Sequence, residues 1–354
     1  MQITKAEVTP VELTLRHPVR TAGLPEIGRL TAVYVRLETR QGQSAWGCTV
    51  AHAELTGEAP EAVIQSCRDC ASLAPDLHPT NIEFSLGELE SRAAATPAAL
   101  CAFDLAFHDL LCQAAGFPLY RLLGGYRSQI QTSVTLTLAP VDETVASAWA
   151  RARQGFKILK VKGGLDPEED VRRVEAIHSA LPNHVLRLDA DGGYTVRQAL
   201  DVARALAGTL EMLEQPTPAR DLAALREVTA LSPVPILADQ SVEGPASALE
   251  LAASRKAHGL SVKLVACGGL QKARQIDAIA RAAQLATMVG CYIEPALLIA
   301  AGLSLALSSP NVRYGDLDGC LDLANDPSRA GFQIKDGWLV AADVVGLGYT
   351  VNLG

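Results

Sequence analysis

FKILKVKGG (156–164), VLRLDADGG (185–193), LEMLEQP (210–216), PILADQS (235–241) and LSVKLVACGG (260–269) follow one another along the chain. Each is an apolar, strand-like run that carries a charge at or near its end: Lys160 and Lys162, Asp189, Glu214, Asp239 and Lys263. Desolvating an ionised group costs several kcal/mol unless it is paired or metal-bound. Three carboxylates can hold a hard divalent cation, and lysines beside it can move protons. The pattern reads as a metal-assisted proton-abstraction site.

Working outward, helical stretches such as EEDVRRVEAIHSAL (168–181), RQALDVARALAG (197–208) and GLQKARQIDAIARAAQ (269–284) lie between the runs. Strands are expected at 131–138, 157–163, 185–191, 210–214, 235–239, 260–265, 287–293 and 312–317. Eight strand–helix units imply a parallel sheet, and eight is the number that closes into a barrel. The last unit lacks a long helix, so its crossover is expected to be missing. Upstream, 2–14, 31–40 and 44–51 read as a meander, with RHPVRTAGLPEIGR (16–29) as a loop, and helical patterns follow at 58–74 and 97–116. The C-terminal GFQIKDGWLVAADVVGLGYTVN (331–352) is Gly-punctuated and strand-like, and is expected to return to the N-terminal block.

Composition agrees with a large enzyme-like core. The chain has 354 residues, 49% apolar and 20% charged, and a net charge of −8. Disorder is therefore excluded, and so is the basic face of a general nucleic-acid binder. No secretory signal opens MQITKAEVTP, and the apolar run at 297–307 is too short for a bilayer. Cys67 and Cys70 form a CxxC without a second pair, so they read as helix residues rather than zinc ligands. A reduced, cytoplasmic protein is expected.

Lys160 and Lys162 are two apart on a strand and share a face. Lys263 lies four strands later, on the opposite side of an eight-stranded barrel, so two bases can flank one carbon. Asp191 shares the face of Asp189, and spacing alone does not say which of them binds metal. A structural alternative stands beside each residue: strand-end solvation for the lysines, helix capping for the acids.

KVK, LDADGG, EQP, ADQS and VKLVACGGL, in that order, resemble the motif series of the enolase superfamily, in its muconate-lactonizing-enzyme subgroup. The resemblance implies an α/β fold: a modified TIM barrel, (β/α)7β, at 129–328, with an α+β capping domain from 1–128 and a C-terminal return at 329–354. It assigns Asp189, Glu214 and Asp239 to Mg²⁺, Lys162 and Lys263 to acid/base catalysis, and Lys160 to assisting Lys162 and touching a substrate carboxylate. The shared step is removal of the proton α to a carboxylate, giving a metal-stabilised enediolate.

MVGCYIEPALLIAAG (288–302) and YGDLDGCLDL (314–323) resemble dipeptide epimerases within that family. By this resemblance Asp316 and Asp318 bind the α-ammonium of a dipeptide, and Thr135, Cys291 and Ile293 line the pocket. The implied reaction is epimerisation of the C-terminal residue of an L,L-dipeptide, L-Ala-L-Glu-like or hydrophobic. The alternatives are o-succinylbenzoate synthesis, N-acylamino-acid racemisation or cycloisomerisation, or a binding protein without activity. Arg16, Arg20 and Arg29 are candidates to pair with an acidic substrate side chain, or are solvated. A homo-oligomer with no nucleic-acid or membrane partner is expected. Two departures from many relatives stand beside the metal site: Gln240 follows Asp239 where Glu is common, and Asp191 replaces Asn.

Overall fold

The computed structural model describes residues 1–353. Strands Ile3–Val19, Ile27–Thr39 and Ser44–Ala51 form an antiparallel sheet in chain order. The first strand runs on to Val19, leaving only a short turn where the sequence suggests a longer loop. The register slips between Thr14 and Val19, and Val19 pairs with Ile27. Pro10 and Pro18 are tolerated because this strand is at the sheet edge, where a missing N–H leaves no ladder bond unmade.

Helices Pro60–Leu73, Ile82–Arg92 and Pro97–Ala115 complete the N-terminal block. Cys67 and Cys70 are buried in the first of them. The middle helix has no cap bond from Asn81 and a Gly87 in its interior, and its pattern did not single it out. The third begins with a Thr96 side chain accepting from Ala99 N and ends on Gly116 in the left-handed region, φ 74°. By length and composition it is apolar enough to cross a membrane, yet 78% of that window is buried inside the protein. Gly47 explains how closely it packs: a Cβ there would lie 1.8 Å from the Ala102 carbonyl oxygen.

Eight parallel strands follow: Ser133–Leu136, Ile158–Lys162, Val185–Asp189, Leu210–Glu214, Ile236–Ala238, Gly259–Val262, Ala286–Val289 and Val312–Gly315. They pair in sequence order. A bridge between Thr132 and Gly315 brings the first and eighth together, and Leu317 N donates to Thr132 Oγ1 at 2.7 Å. A helix, Ala296–Ser308, joins the seventh to the eighth, and none follows the eighth before the tail strands, which makes the barrel (β/α)7β. The sixth strand ends three residues short of the expected 265. Lys263 instead caps a short helix, Leu264–Cys267, stopped by Gly268 and Gly269 at φ 91° and 106°.

The tail strand Trp338–Val340 pairs with Gln129–Gln131, and Tyr349–Val351 with Ser328–Ala330. Tyr349 Oη accepts from Trp46 N at 2.6 Å and donates to Asp109 Oδ2 at 2.9 Å. Asp109 Oδ1 accepts from Leu347 N at 2.9 Å. This one buried carboxylate ties the tail to the long N-terminal helix, against a burial cost that raises its pKa. Each buried donor left without its acceptor costs about 1–3 kcal/mol. Asp109→Ala should therefore lower unfolding stability in urea by about 2–3 kcal/mol, and an unfolding curve equal to that of the parent protein would contradict this role.

Candidate active site

The strand register assembles the charges. Lys162 pairs with Asp189, and Asp189 with Glu214, so three charged residues stand abreast at the C-terminal ends of the second, third and fourth strands. Asp239 follows the fifth strand directly, and Lys263 the sixth. The C-terminal ends of barrel strands are where such folds keep their chemistry.

Of the three lysines, Lys160 lies deepest, 4% exposed. Its Nζ is 2.5 Å from Asp316 Oδ2, 3.0 Å from Asp189 Oδ2 and 3.3 Å from Glu214 Oε2. Burial opposes its charge, but the surrounding carboxylates, Asp316 foremost, outweigh burial and hold its pKa well above the ordinary lysine value. Lys162 Nζ is 2.8 Å from both Asp189 and Asp191. Lys263 Nζ is 2.5 Å from Asp239 Oδ2 and 4.8 Å from the centre of the Tyr292 ring. For both, burial pulls the pKa down and the adjacent carboxylates more than restore it.

Among the described residues no three His, Cys, Asp or Glu side chains stand at cation-ligand separation. The lysine ammonium groups are instead the counter-charges of Asp189, Glu214 and Asp239. The donor set nevertheless fits a hard divalent cation. Glu214 Oε1 is buried and accepts no hydrogen bond. Burial first, then the charge of Asp189, pushes the Glu214 carboxyl up to about 8. Three acidic oxygen donors, one with an unused buried lone pair, suit Mg²⁺ or a similar ion. Gln240 Nε2 donates to Asp191 Oδ1 at 2.9 Å, so both departures meet each other and the Lys162 side of the site.

The two DxD carboxylates differ. Both oxygens of Asp316 are engaged: Oδ2 meets Lys160, and Oδ1 accepts from Ser133 Oγ at 2.5 Å. Asp318 Oδ2 accepts from Thr135 N at 2.7 Å, while Oδ1 has only a 3.9 Å contact with Cys291 Sγ. Burial and the charge of Asp316 raise the Asp318 pKa, which is the signature of a carboxylate short of a cation. Both open on a cavity of about 470 Å³ that Lys160, Lys162, Lys263, Thr135, Cys291 and Ile293 also line.

Sequence reasoning passed over Tyr292 and Glu294. The resemblance placed Cys291 and Ile293 at the pocket, and the strand expected over 287–293 would turn Tyr292 to the other face. The seventh strand ends at Val289, so the alternation lapses and Cys291, Tyr292 and Ile293 all face the cavity. The glycine of VGCY was the available signal. Arg16, Arg20 and Arg29 do not line the cavity. Arg20 lies 2.5 Å from Glu26, Arg29 3.4 Å from Glu12, and Arg16 donates to the Leu321 carbonyl at 2.9 Å.

Residues 3–124 match the model of the mandelate racemase / muconate lactonizing enzyme N-terminal domain, and 143–353 that of the enolase C-terminal domain-like family. The L-Lys-D/L-Arg epimerase of Desulforapulum autotrophicum is 35% identical over 98% of this chain and 99% of its own. The L-Ala-D/L-Glu epimerase of Bacillus subtilis is 32% identical over 98% and 96%. The dipeptide epimerase of Enterococcus faecalis, solved with Mg and L-Leu-L-Tyr, superposes with a TM-score of 0.95 at 32% identity, covering 99% of this chain and 100% of that one. With both parts matched and relatives aligned end to end, the chain belongs to the mandelate racemase / muconate lactonizing enzyme group of the enolase superfamily.

Proposed function

We propose that this chain is a Mg²⁺-dependent dipeptide epimerase, acting on the α-carbon of the C-terminal residue. The observation that carries the reading is the placement of Lys162 at the end of the second of eight strands and Lys263 directly after the sixth, facing one cavity whose rim presents Asp318. Relatives aligned over nearly their whole length include a hydrophobic dipeptide epimerase of Enterococcus faecalis. The proposed division is a barrel at 129–328 capped by 1–128 and 329–354. Eight free cysteines suit a reducing, cytoplasmic setting.

In this reading Asp189, Glu214 and Asp239 hold the cation, which when bound supplies charge stabilisation to the substrate carboxylate as its α-proton leaves. Lys160 Nζ keeps the inner carboxylates paired and stays protonated. Lys162 Nζ removes or returns the proton on one face of the α-carbon, and Lys263 Nζ on the other. Each lysine is held protonated by its carboxylates in this structure. A cation held by Asp189 and Asp239 would weaken their hold on the two ammonium groups and lower both pKa values toward what a base requires. Asp318 Oδ1 meets the substrate ammonium, and Asp316 acts through Lys160 and Ser133.

The cap side of the cavity favours an apolar side chain over an acidic one. Leu15, Pro18, Val19, Leu24, Ile27 and Leu55 line it, and the three arginines once candidates for an acidic partner are engaged elsewhere. A cationic side chain is the second reading, because Glu54 and Glu143 also line the cavity and their side chains have no ion-pair or hydrogen-bond partner among the described residues.

A library of L,L-dipeptides incubated in D₂O, with deuterium uptake read by mass spectrometry, tests the assignment. An apolar or cationic C-terminal residue should exchange at least about tenfold faster than L-Ala-L-Glu, the ratio that 1.4 kcal/mol gives. Fastest exchange with L-Ala-L-Glu would contradict the side-chain reading, and no exchange with any dipeptide would contradict the function.

Chelation should abolish exchange and Mg²⁺ restore it; full activity in metal-free enzyme would remove the cation from the account. Losing one partner of a desolvated charge pair costs about 2–5 kcal/mol. Asp318→Asn should therefore lower kcat/KM at least about tenfold, and N-acetylation of the dipeptide should do the same to the unmutated enzyme. If the N-acylated compound were the better substrate, the activity would be N-acylamino-acid racemisation instead.

A further inference from the structure

The two lysines have different companions. Lys162 is gripped by two carboxylates, Asp189 and Asp191. Lys263 has one, Asp239, and an aromatic face, with Nζ 4.8 Å from the Tyr292 ring centre. A lysine on a flexible four-carbon stem needs a second contact to fix its direction, and a ring face attracts the ammonium without offering it a proton acceptor.

The backbone that carries the ring is itself held. Tyr292 N donates to Glu294 Oε1 at 3.0 Å, and Glu294 N donates to the Gly319 carbonyl at 3.3 Å. Gly319 packs against the Tyr292 carbonyl so closely that a Cβ would stand 2.1 Å from its oxygen. The loop after the seventh strand is thereby clamped to the loop that carries Asp318. Glu294 is buried, 3% exposed, and is spent on the Tyr292 backbone rather than on the cavity.

We propose that Tyr292 is a positioning residue for Lys263. Its ring holds the ammonium against one face of the bound α-carbon, and it acts through the ring rather than the hydroxyl. This rests on the two-base reading above and adds a residue to it. The consequence is an asymmetric one: loss of the ring disturbs proton transfer on the Lys263 face and spares the Lys162 face. A general loosening of the site would slow both.

The test uses the library dipeptide that the unmutated, Mg²⁺-loaded enzyme exchanges fastest, as its L,L and its L,D isomer. Initial α-deuterium uptake is measured for each isomer, and the isomer whose uptake Lys263→Ala abolishes is the one served by Lys263. A cation–π contact is worth a factor of about 2 to 30 in an equilibrium. Tyr292→Leu should slow uptake into the Lys263-served isomer at least about fivefold and change the other isomer less than about twofold. Tyr292→Phe should leave both rates near those of the parent enzyme. Tyr292→Met, which keeps side-chain length, should reproduce the leucine result, and Mg²⁺ affinity by calorimetry should stay unchanged in all three.

Equal slowing of both isomers, or a phenylalanine variant as slow as the leucine one, overturns the proposal. So does a leucine variant that spares the isomer which Lys263→Ala abolishes. If Lys263→Ala spares both isomers, the two-base reading itself fails and takes the proposal with it.

Discussion

The ion cluster around Lys160 is the constraint on which the rest of the site depends. Its ammonium touches Asp189, Glu214 and Asp316, which come from the third and fourth strands and from the loop after the eighth. An unpaired charge at that depth would cost several kcal/mol, so these side chains have little freedom to take other positions. The seam of the barrel closes on the same network. Ser133 donates to Asp316, and Arg187 Nη1 lies 3.2 Å from Ser133 Oγ and 3.0 Å from the Gly315 carbonyl. Barrel closure and site geometry thus share one set of hydrogen bonds.

That sharing supports the proposed division of labour among residues of the same type. Lys160 is surrounded by three carboxylates, whereas Lys162 has two and Lys263 one. Asp316 belongs to the interior and Asp318 to the rim. Residue type alone did not separate these roles. Depth along the strand and the number of neighbours did.

Much of this was legible in the sequence because it follows from period and order. Charges placed at the ends of apolar runs identified the barrel strands, and the four-strand separation put Lys162 and Lys263 across the barrel from each other. What was not legible lies where periodicity stops. Lys263 was expected inside a strand, but the two glycines after it permit a short helix and make it the helix cap. Tyr292 was hidden because a strand was expected to run on to 293, whereas the seventh strand ends at Val289. The loop at 16–29 proved shorter because a slip in the edge strand let pairing resume at Val19, a tertiary outcome with no local signature. The fates of Arg16, Arg20 and Arg29 depend on neighbours as distant in sequence as Leu321, which spacing does not reveal.

The central claim is that one α-carbon is served from opposite faces by Lys162 and Lys263. The most direct measurement follows α-deuterium uptake by the L,L and L,D isomers of one dipeptide in Lys162→Ala and Lys263→Ala side by side. The account predicts complementary losses: each variant loses uptake into one isomer, keeps it for the other, and epimerises neither. Loss of the same isomer in both variants, or continued epimerisation in either, would contradict it.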